Sequence, residues 1–251
     1  MRPVIQIFPV YGIGDVVTGQ SVSALIAAGL VHSGITLVAG DILVVTQKIV
    51  SKAEGRIIDP RTVTPSHIAQ MCAAQGHKDA CYYEVVLQES KRIIKMDKGV
   101  LICETHHGLI CANAGVDESN VDGGTHITLL PVDPDASARG IRTEVGAATG
   151  VEPAVIISDS FGRAWREGQV NIAIGVAGIN PLISYAGLDD PFGYRMQASI
   201  LAIGDEIAAA AELVMGKTDR IPVAVVRGVC YEQSPSAASA LIRPANKDLF
   251  R

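Results

Sequence analysis

Residues 155–169 read VIISDSFGRAWREGQ and set an apolar, β-branched run directly against an acid, a hydroxyl, a glycine and two arginines, Arg163 and Arg166. A short run of valine and isoleucine bounded by polar residues is the pattern of a strand buried on at least one face. The same pattern recurs in DILVVTQKIV (41–50), HGLICANAGV (107–116), HITLLPV (126–132), AVIISDS (154–160) and IPVAVVRGV (221–229). Between some of these runs the period changes to that of a helix. In SVSALIAAGLVHSG (21–34), Val22, Leu25, Ile26, Gly29 and Leu30 form one stripe, with Ser21 as the cap. TPSHIAQMCAAQG (64–76) predicts a helix capped by Thr64, with Pro65 in its first turn and Gly76 beyond its end. KDACYYEVVLQESKRI (78–93) predicts a helix capped by Asp79. SILAIGDEIAAAAELVMGK (199–217) predicts the longest helix, with Ile203, Ile207, Ala210 and Val214 on one face and Gly216 at its end. Strands and helices mix without a regular strand–helix–strand alternation, so the expected class is α+β, mixed sheets with packed helices, rather than a doubly wound sheet.

The chain has 251 residues, 48% hydrophobic and 4% aromatic, enough to bury a sizeable core as a single unit over 1–251 or as two closely packed lobes. A formal charge of -5 with no basic stripe argues against a nucleic-acid surface. No apolar run approaches the ~18 residues of a membrane span, so the expectation is a cytoplasmic protein with small-molecule partners, no nucleic acid and no membrane. The cysteines at 72, 81, 103, 111 and 230 lack the paired spacing of a zinc or redox motif and read as reduced thiols.

Two carboxylates follow apolar runs, Asp117 and Asp159. An ionised acid beside a packed core is costly without a partner, and a hard divalent cation is one partner able to offset the desolvation. Oxygen donors lie beside both: Ser119 and Asn120 at the first, Ser160 at the second. Such ligands suit magnesium or manganese better than zinc. On the blander reading each aspartate only caps a turn or a helix.

Arg163 and Arg166 follow Asp159 closely and can grip phosphate or carboxylate oxygens, or else answer Glu167 at the surface. YGIGDV (11–16) carries glycines that let backbone amides approach a phosphate, without a full phosphate-loop pattern. In TQKIVSKAEGR (46–56), alternation along a strand puts Lys48 and Lys52 on the same face, with Arg56 further on. His106 and His107 are candidates for a base or a substrate contact, at most one of them if the pair lies on a strand.

Together GDILVVTQKIVSKAEGR (40–56), CANAGVDESNV (111–121), ISDSFGRAWREGQ (157–169), AIGVAG (173–178), DEIAAAAELVMGK (205–217) and IPVAVVRG (221–228) resemble the coenzyme F420-0:L-glutamate ligases, the gamma-glutamyl ligases of deazaflavin cofactor synthesis. The resemblance spans about residues 4 to 230. It implies a GTP-dependent amide ligase that activates the lactyl-phosphate carboxylate of coenzyme F420-0 as an acyl phosphate, which the amine of L-glutamate then displaces; a further gamma-linked glutamate can follow. It also implies an unusual two-lobed α+β fold, an intertwined homodimer, and two magnesium or manganese ions, with K+ as an additional candidate ion. Carried over by position, the metal ligands are Asp117, Asp159 and Ser160, and the catalytic set is Asp117, Asp159 and Lys52. The GTP contacts are Ile13, Gly14, Asp15, Val16, Gln47, Lys48, Lys52, Asn120, Met215, Gly216, Lys217, Thr218, Asp219, Arg220 and Ile221. Two departures stand out: Lys217 occupies a position where some relatives carry a glutamate that reaches the second metal, and Gly14 stands where proline is common. The same residues admit a ligase acting on another carboxylate, or a nucleotide- or deazaflavin-binding protein without catalysis.

Overall fold

Side chains alternate between two apolar layers along the central strands, and this alternation organises the computed structural model, which describes residues 4–119 and 125–248. In chain order the elements are β1 (Gln6–Pro9), α1 (Val22–His32), β2 (Ile42–Thr46), α2 (Gln47–Ala53), β3 (Ile57–Ile58), α3 (His67–Gln75), α4 (Ala80–Gln88), β4 (Ser90–Asp97), β5 (Val100–Thr105) and β6 (Ile110–Ala112). They continue with β7 (Ile127–Thr128), α5 (Pro134–Thr149), β8 (Ala154–Arg163), β9 (Arg166–Ala177), β10 (Ile183–Ser184), β11 (Ile200–Leu201), α6 (Ile203–Met215) and β12 (Val223–Arg227).

The main sheet has the order β1-β12-β2-β8-β9, and β2 and β8 are its parallel neighbours while the other pairs run antiparallel. Leu43, Val45, Val155, Ile157, Val223 and Val225 point to one face and pack with Ile26 and Leu30 of α1 and with Ala138, Ile141 and Val145 of α5. Their neighbours Ile42, Val44, Ala154, Ile156, Ala224 and Val226 point to the other, against Ile203, Ile207, Ala208, Ala211 and Met215 of α6. Burial on both faces explains the unbroken valine–isoleucine runs, and each such side chain contributes roughly 1.5–3 kcal/mol. The mixed pairing and the several sheets make the fold α+β, as expected. A third apolar cluster, with Tyr82, Tyr83, Val86, Leu101, Cys103 and Ile127, joins α3 and α4 to the three-stranded sheet β4-β5-β6.

Several local expectations are corrected. The run 41–50 is not one strand: it ends at Thr46 and continues as α2. The helix expected from Thr64 starts two residues later, with Ser66 accepting from the Ala69 N–H at its N-terminus. Helix α4 stops at Gln88, and the following SKRI belongs to β4. On α6 the buried stripe runs through Ala208, Ala211 and Met215, while Ala210 and Val214 lie only half-buried. Helix α5 was not anticipated, although Asp133 accepts from the Ala136 N–H, Pro134 opens the helix and Gly150 closes it with φ 77°. Near the C-terminus, Ala238 is buried and its N–H donates to Asp135 Oδ1 (3.0 Å), so this stretch is anchored to the core.

All five cysteines are free thiols, and those at 72, 103 and 111 are buried. No described helix is long and apolar enough to cross a membrane.

Candidate active site

One end of the main sheet gathers most of the singled-out residues. Strands β1 and β2 finish there, at Pro9 and Thr46, and β12 begins there, at Val223 opposite Val45. The segments 10–16, 47–52 and 216–222 therefore all leave or enter the sheet at that end. Strand β8 passes through it without stopping, which corrects the expectation of acids at strand ends. Thr46 is the last β2 residue paired with β8, opposite Ser158. From Asp159 onward β8 stays paired with β9 but has lost β2, so the edge that β2 vacates on turning into α2 lies beside Asp159 and Ser160.

Helix α2 fills part of that gap. Lys48 and Lys52 lie on the same face of it because they are four residues apart on a helix, not because they alternate on a strand. The Lys48 side chain is only 14% exposed and its ammonium lies 2.5 Å from Asp117 Oδ2; it also donates to the Ser119 carbonyl (2.7 Å) and to Ser119 Oγ (2.9 Å). Ser119 in turn donates its N–H to Asp117 Oδ1 and its hydroxyl to Asp117 Oδ2, both at 2.8 Å. Asp117 is held by paired backbone bonds with Thr128 of β7 (3.0 and 2.8 Å).

The two acids differ in their electrostatics. At Asp117 burial works against ionisation, but Lys48 and Ser119 outweigh it and hold the carboxyl below the usual aspartate range. Asp159 keeps partial contact with solvent, yet burial is the largest influence and pushes it up to about 6. The Ser160 N–H opposes that shift, the Asp117 charge adds to it, and Lys48 and the Gln47 side chain hold it down. Asp117 and Asp159 thus feel one another across the gap between β7 and β8. With both ionised, two carboxylates face one ammonium, and oxygen is the only ligand atom type those groups and Ser119 supply. A hard divalent cation fits that donor set and that excess of negative charge. No group of three or more His, Cys, Asp or Glu side chains clusters among the described residues, so such an ion would complete its shell with hydroxyl, carbonyl, water or substrate oxygens.

Ser160 stands in different company. Its hydroxyl donates to Asn171 Oδ1 (2.6 Å), the buried Asn171 Nδ2 donates to Glu212 Oε2 (2.5 Å), and the Lys217 ammonium donates to Ser160 Oγ and lies 3.7 Å from Glu212 Oε1. Neither Asn171 nor Glu212 was singled out from the sequence, although Glu212 is a lone acid within the apolar stretch AAAAELVM.

The remaining candidates fall as follows. Ile13 and Val16 are buried in the core between the sheet and α1, leaving Gly14 and Asp15 exposed between them. This segment is tied to α2 through Thr18 Oγ1, which donates to the Lys52 carbonyl (3.2 Å), and the Gly19 N–H, which donates to the Ala53 carbonyl (2.8 Å). Met215, the last residue of α6, is buried; Gly216, Lys217, Thr218, Asp219 and Arg220 are exposed in the loop that follows, and Ile221 is half-buried at its end. Asn120 lies outside the described residues. Arg56 is committed to structure, donating to the Leu130 carbonyl (2.9 Å) and to Glu89 (2.6 Å). Arg163 and Arg166 face each other across the β8–β9 hairpin, where Arg163 donates to the Glu167 carbonyl. His106 and His107 lie in the turn after β5, each with Nε2 on a backbone carbonyl, of Gln88 (2.9 Å) and Pro131 (2.8 Å). Cys111 lies near Asp159, but burial and then that charge push its thiol up to about 12, so it stays protonated.

Comparison with known proteins shows the family to which the sequence is similar. The sequence profile of the F420-0:gamma-glutamyl ligase family matches residues 12–228. The chain is 43% identical over 250 residues to the coenzyme F420:L-glutamate ligase of Methanothermobacter thermautotrophicus, covering 98% of this chain and 99% of the relative. It is 45% identical over 213 residues to the ligase of the same name from Methanocaldococcus jannaschii, covering 84% and 85%. The Methanopyrus kandleri protein of that name is 40% identical over 229 residues, 89% of this chain and 90% of its own.

Proposed function

Since the chain belongs to the F420-0:gamma-glutamyl ligase family, we propose that it is a ligase joining L-glutamate to the carboxylate of coenzyme F420-0, driven by GTP. In the first step a carboxylate oxygen of the deazaflavin tail attacks the γ-phosphorus, and the bond to the bridging oxygen breaks, giving an acyl phosphate and GDP. In the second the glutamate amine attacks the acyl carbon, phosphate leaves with the bonding electrons, and the new amide sheds a proton. The same cycle on the gamma-carboxylate adds a further residue.

The observation carrying this reading is the convergence of Asp117, Asp159 and Lys48 from three separate elements at the edge of β8 that β2 vacates. Both steps bring anions together, so the protein's work is to position them and offset their repulsion. A magnesium or manganese ion bound by Asp117 and Asp159 would supply Lewis-acid polarisation of phosphate oxygens. Lys48 and Lys52 line one face of α2 toward the phosphates, Gln47 stays hydrogen-bonded beside Asp159, and the exposed Gly14 offers its backbone N–H to an anion. The loop 216–222 closes the other side, where Thr218, Asp219 and Arg220 face solvent and can meet the nucleotide.

The reading includes a homodimer. The arm around β10 and β11 leaves Leu188, Phe192, Tyr194, Ile200 and Leu201 exposed, Phe192 at 94%, and a second copy covering this apolar surface suits it.

The deciding experiment is mass spectrometry after incubation with coenzyme F420-0, GTP, glutamate and MnCl2. Products heavier by whole glutamate residues, with stoichiometric GDP and phosphate, are expected. GTP turnover on a different carboxylate, with none on coenzyme F420-0, would replace the acceptor; no nucleotide turnover at all would remove the ligase reading.

A further inference from the structure

We propose that the site holds one divalent ion rather than two, and that the Lys217 ammonium supplies the second positive charge beside the nucleotide phosphates. The inference rests on the ligase reading above. Ser160, the residue expected to help hold a second cation, has its proton committed to Asn171 Oδ1 (2.6 Å), and its oxygen accepts from Lys217. Asn171, 4% exposed, passes the link to Glu212, whose other carboxylate oxygen lies 3.7 Å from the same ammonium. Four side chains from β8, β9, α6 and the following loop thus close a ring with one acid and one base, leaving no net charge to attract a divalent ion. The contrast with Asp117 and Asp159 is direct: there two carboxylates meet a single ammonium and a negative charge is left over. A divalent ion on Ser160 would also sit against the Lys217 ammonium that donates to the same oxygen, a repulsion of like charges.

The backbone builds this placement. Helix α6 ends at the buried Met215, and Gly216, at φ 59° and ψ -172°, turns the chain so that Lys217 folds back against β8. Residues with a side chain rarely adopt that combination of φ and ψ, so the turn favours glycine there. An ammonium held in this ring can donate directly to phosphate oxygens, where a magnesium ion would keep several of its waters.

The test counts ions. The full-length protein is dialysed to equilibrium against MnCl2 with a non-hydrolysable GTP analogue, bound manganese is quantified per chain, and manganese–manganese coupling is read by paramagnetic resonance. Wild type is expected to bind one ion with no coupling. Lys217→Gln removes the charge but leaves Ser160 and Glu212 as oxygen ligands, and it is expected to bind a second, coupled ion; Lys217→Arg is expected to keep one. The position is exposed, so these variants fold, which circular dichroism verifies. Two ions in wild type overturn the proposal while leaving the ligase reading intact. One ion in both wild type and Lys217→Gln also overturns it, because the lysine would then be only a surface partner of Glu212. No manganese in any of the three removes the metal reading of Asp117 and Asp159, and this proposal with it.

Discussion

Lys48 Nζ lies 2.5 Å from Asp117 Oδ2, a contact between residues 69 positions apart that joins the helix following β2 to the segment paired with β7. This pair leaves Asp159 as the uncompensated acid of the site, and the first prediction follows from removing it. In Lys48→Met two carboxylates lose their counter-charge. With Asp117 43% exposed, the folded, metal-free protein is expected to lose only about 1 kcal/mol. Manganese is expected to bind more tightly in the absence of nucleotide, while KM for GTP rises on the order of tenfold as a positive charge beside the phosphates is lost. Calorimetric titration with MnCl2 checks this; unchanged manganese affinity would separate Lys48 from the ion site.

Asp159 makes the stability of the metal-free protein depend on pH. Its folded value is about 6 against an ordinary 3.8, so the folded state holds the proton more tightly than the unfolded chain. The stability this contributes is complete below about pH 4 and is lost as pH rises through 6. Asp159→Asn carries no charge and escapes that loss. With chelator present its melting temperature is therefore expected to exceed wild type at pH 8 and to match it near pH 4. Ligase turnover is expected to fall on the order of 10³-fold. Equal melting temperatures at pH 8 would show that the Asp159 charge carries no folding penalty.

Far from the site, Asp41 is fully buried and receives Arg227 Nε (2.8 Å), Arg227 Nη2 (2.7 Å) and the Val38 N–H (2.9 Å). Arg227→Ala strands that carboxylate and is expected to cost about 3 kcal/mol. The KM for GTP should not move, because Arg227 lies at the far end of β12 from the loop 216–222. Urea unfolding together with initial-rate kinetics tests both halves.

Gly29 of α1 packs under the candidate nucleotide loop. A Cβ there would meet Val10 Cγ1 at 2.8 Å, the Tyr11 carbonyl at 3.0 Å and Ile13 Cγ1 at 3.1 Å. Gly29→Ala is expected to displace residues 10–13, to cost roughly 1–3 kcal/mol through overpacking, and to raise KM for GTP more than it lowers kcat. A stable variant with unchanged KM would dissociate that loop from nucleotide binding.

The sequence by itself determined the class of the fold and singled out the two acids. Val155, Ile156 and Ile157 could be read as strand because burial on both sheet faces selects branched apolar residues, and Asp159 stood out because a carboxylate beside such a run needs a partner. Local signals also marked Ser21 as the cap of α1, where it accepts from the Ala24 N–H. Only the tertiary structure decided that the chain turns helical at Gln47, since QKIV suits either form until β2 loses its place beside β8. It alone brought Lys48 to Asp117 and joined Asn171 and Glu212 to Ser160. Those contacts link residues 69, 11 and 41 positions apart. No local spacing encodes such pairs, because strand order and the turn of α2 into the vacated sheet edge set their distances.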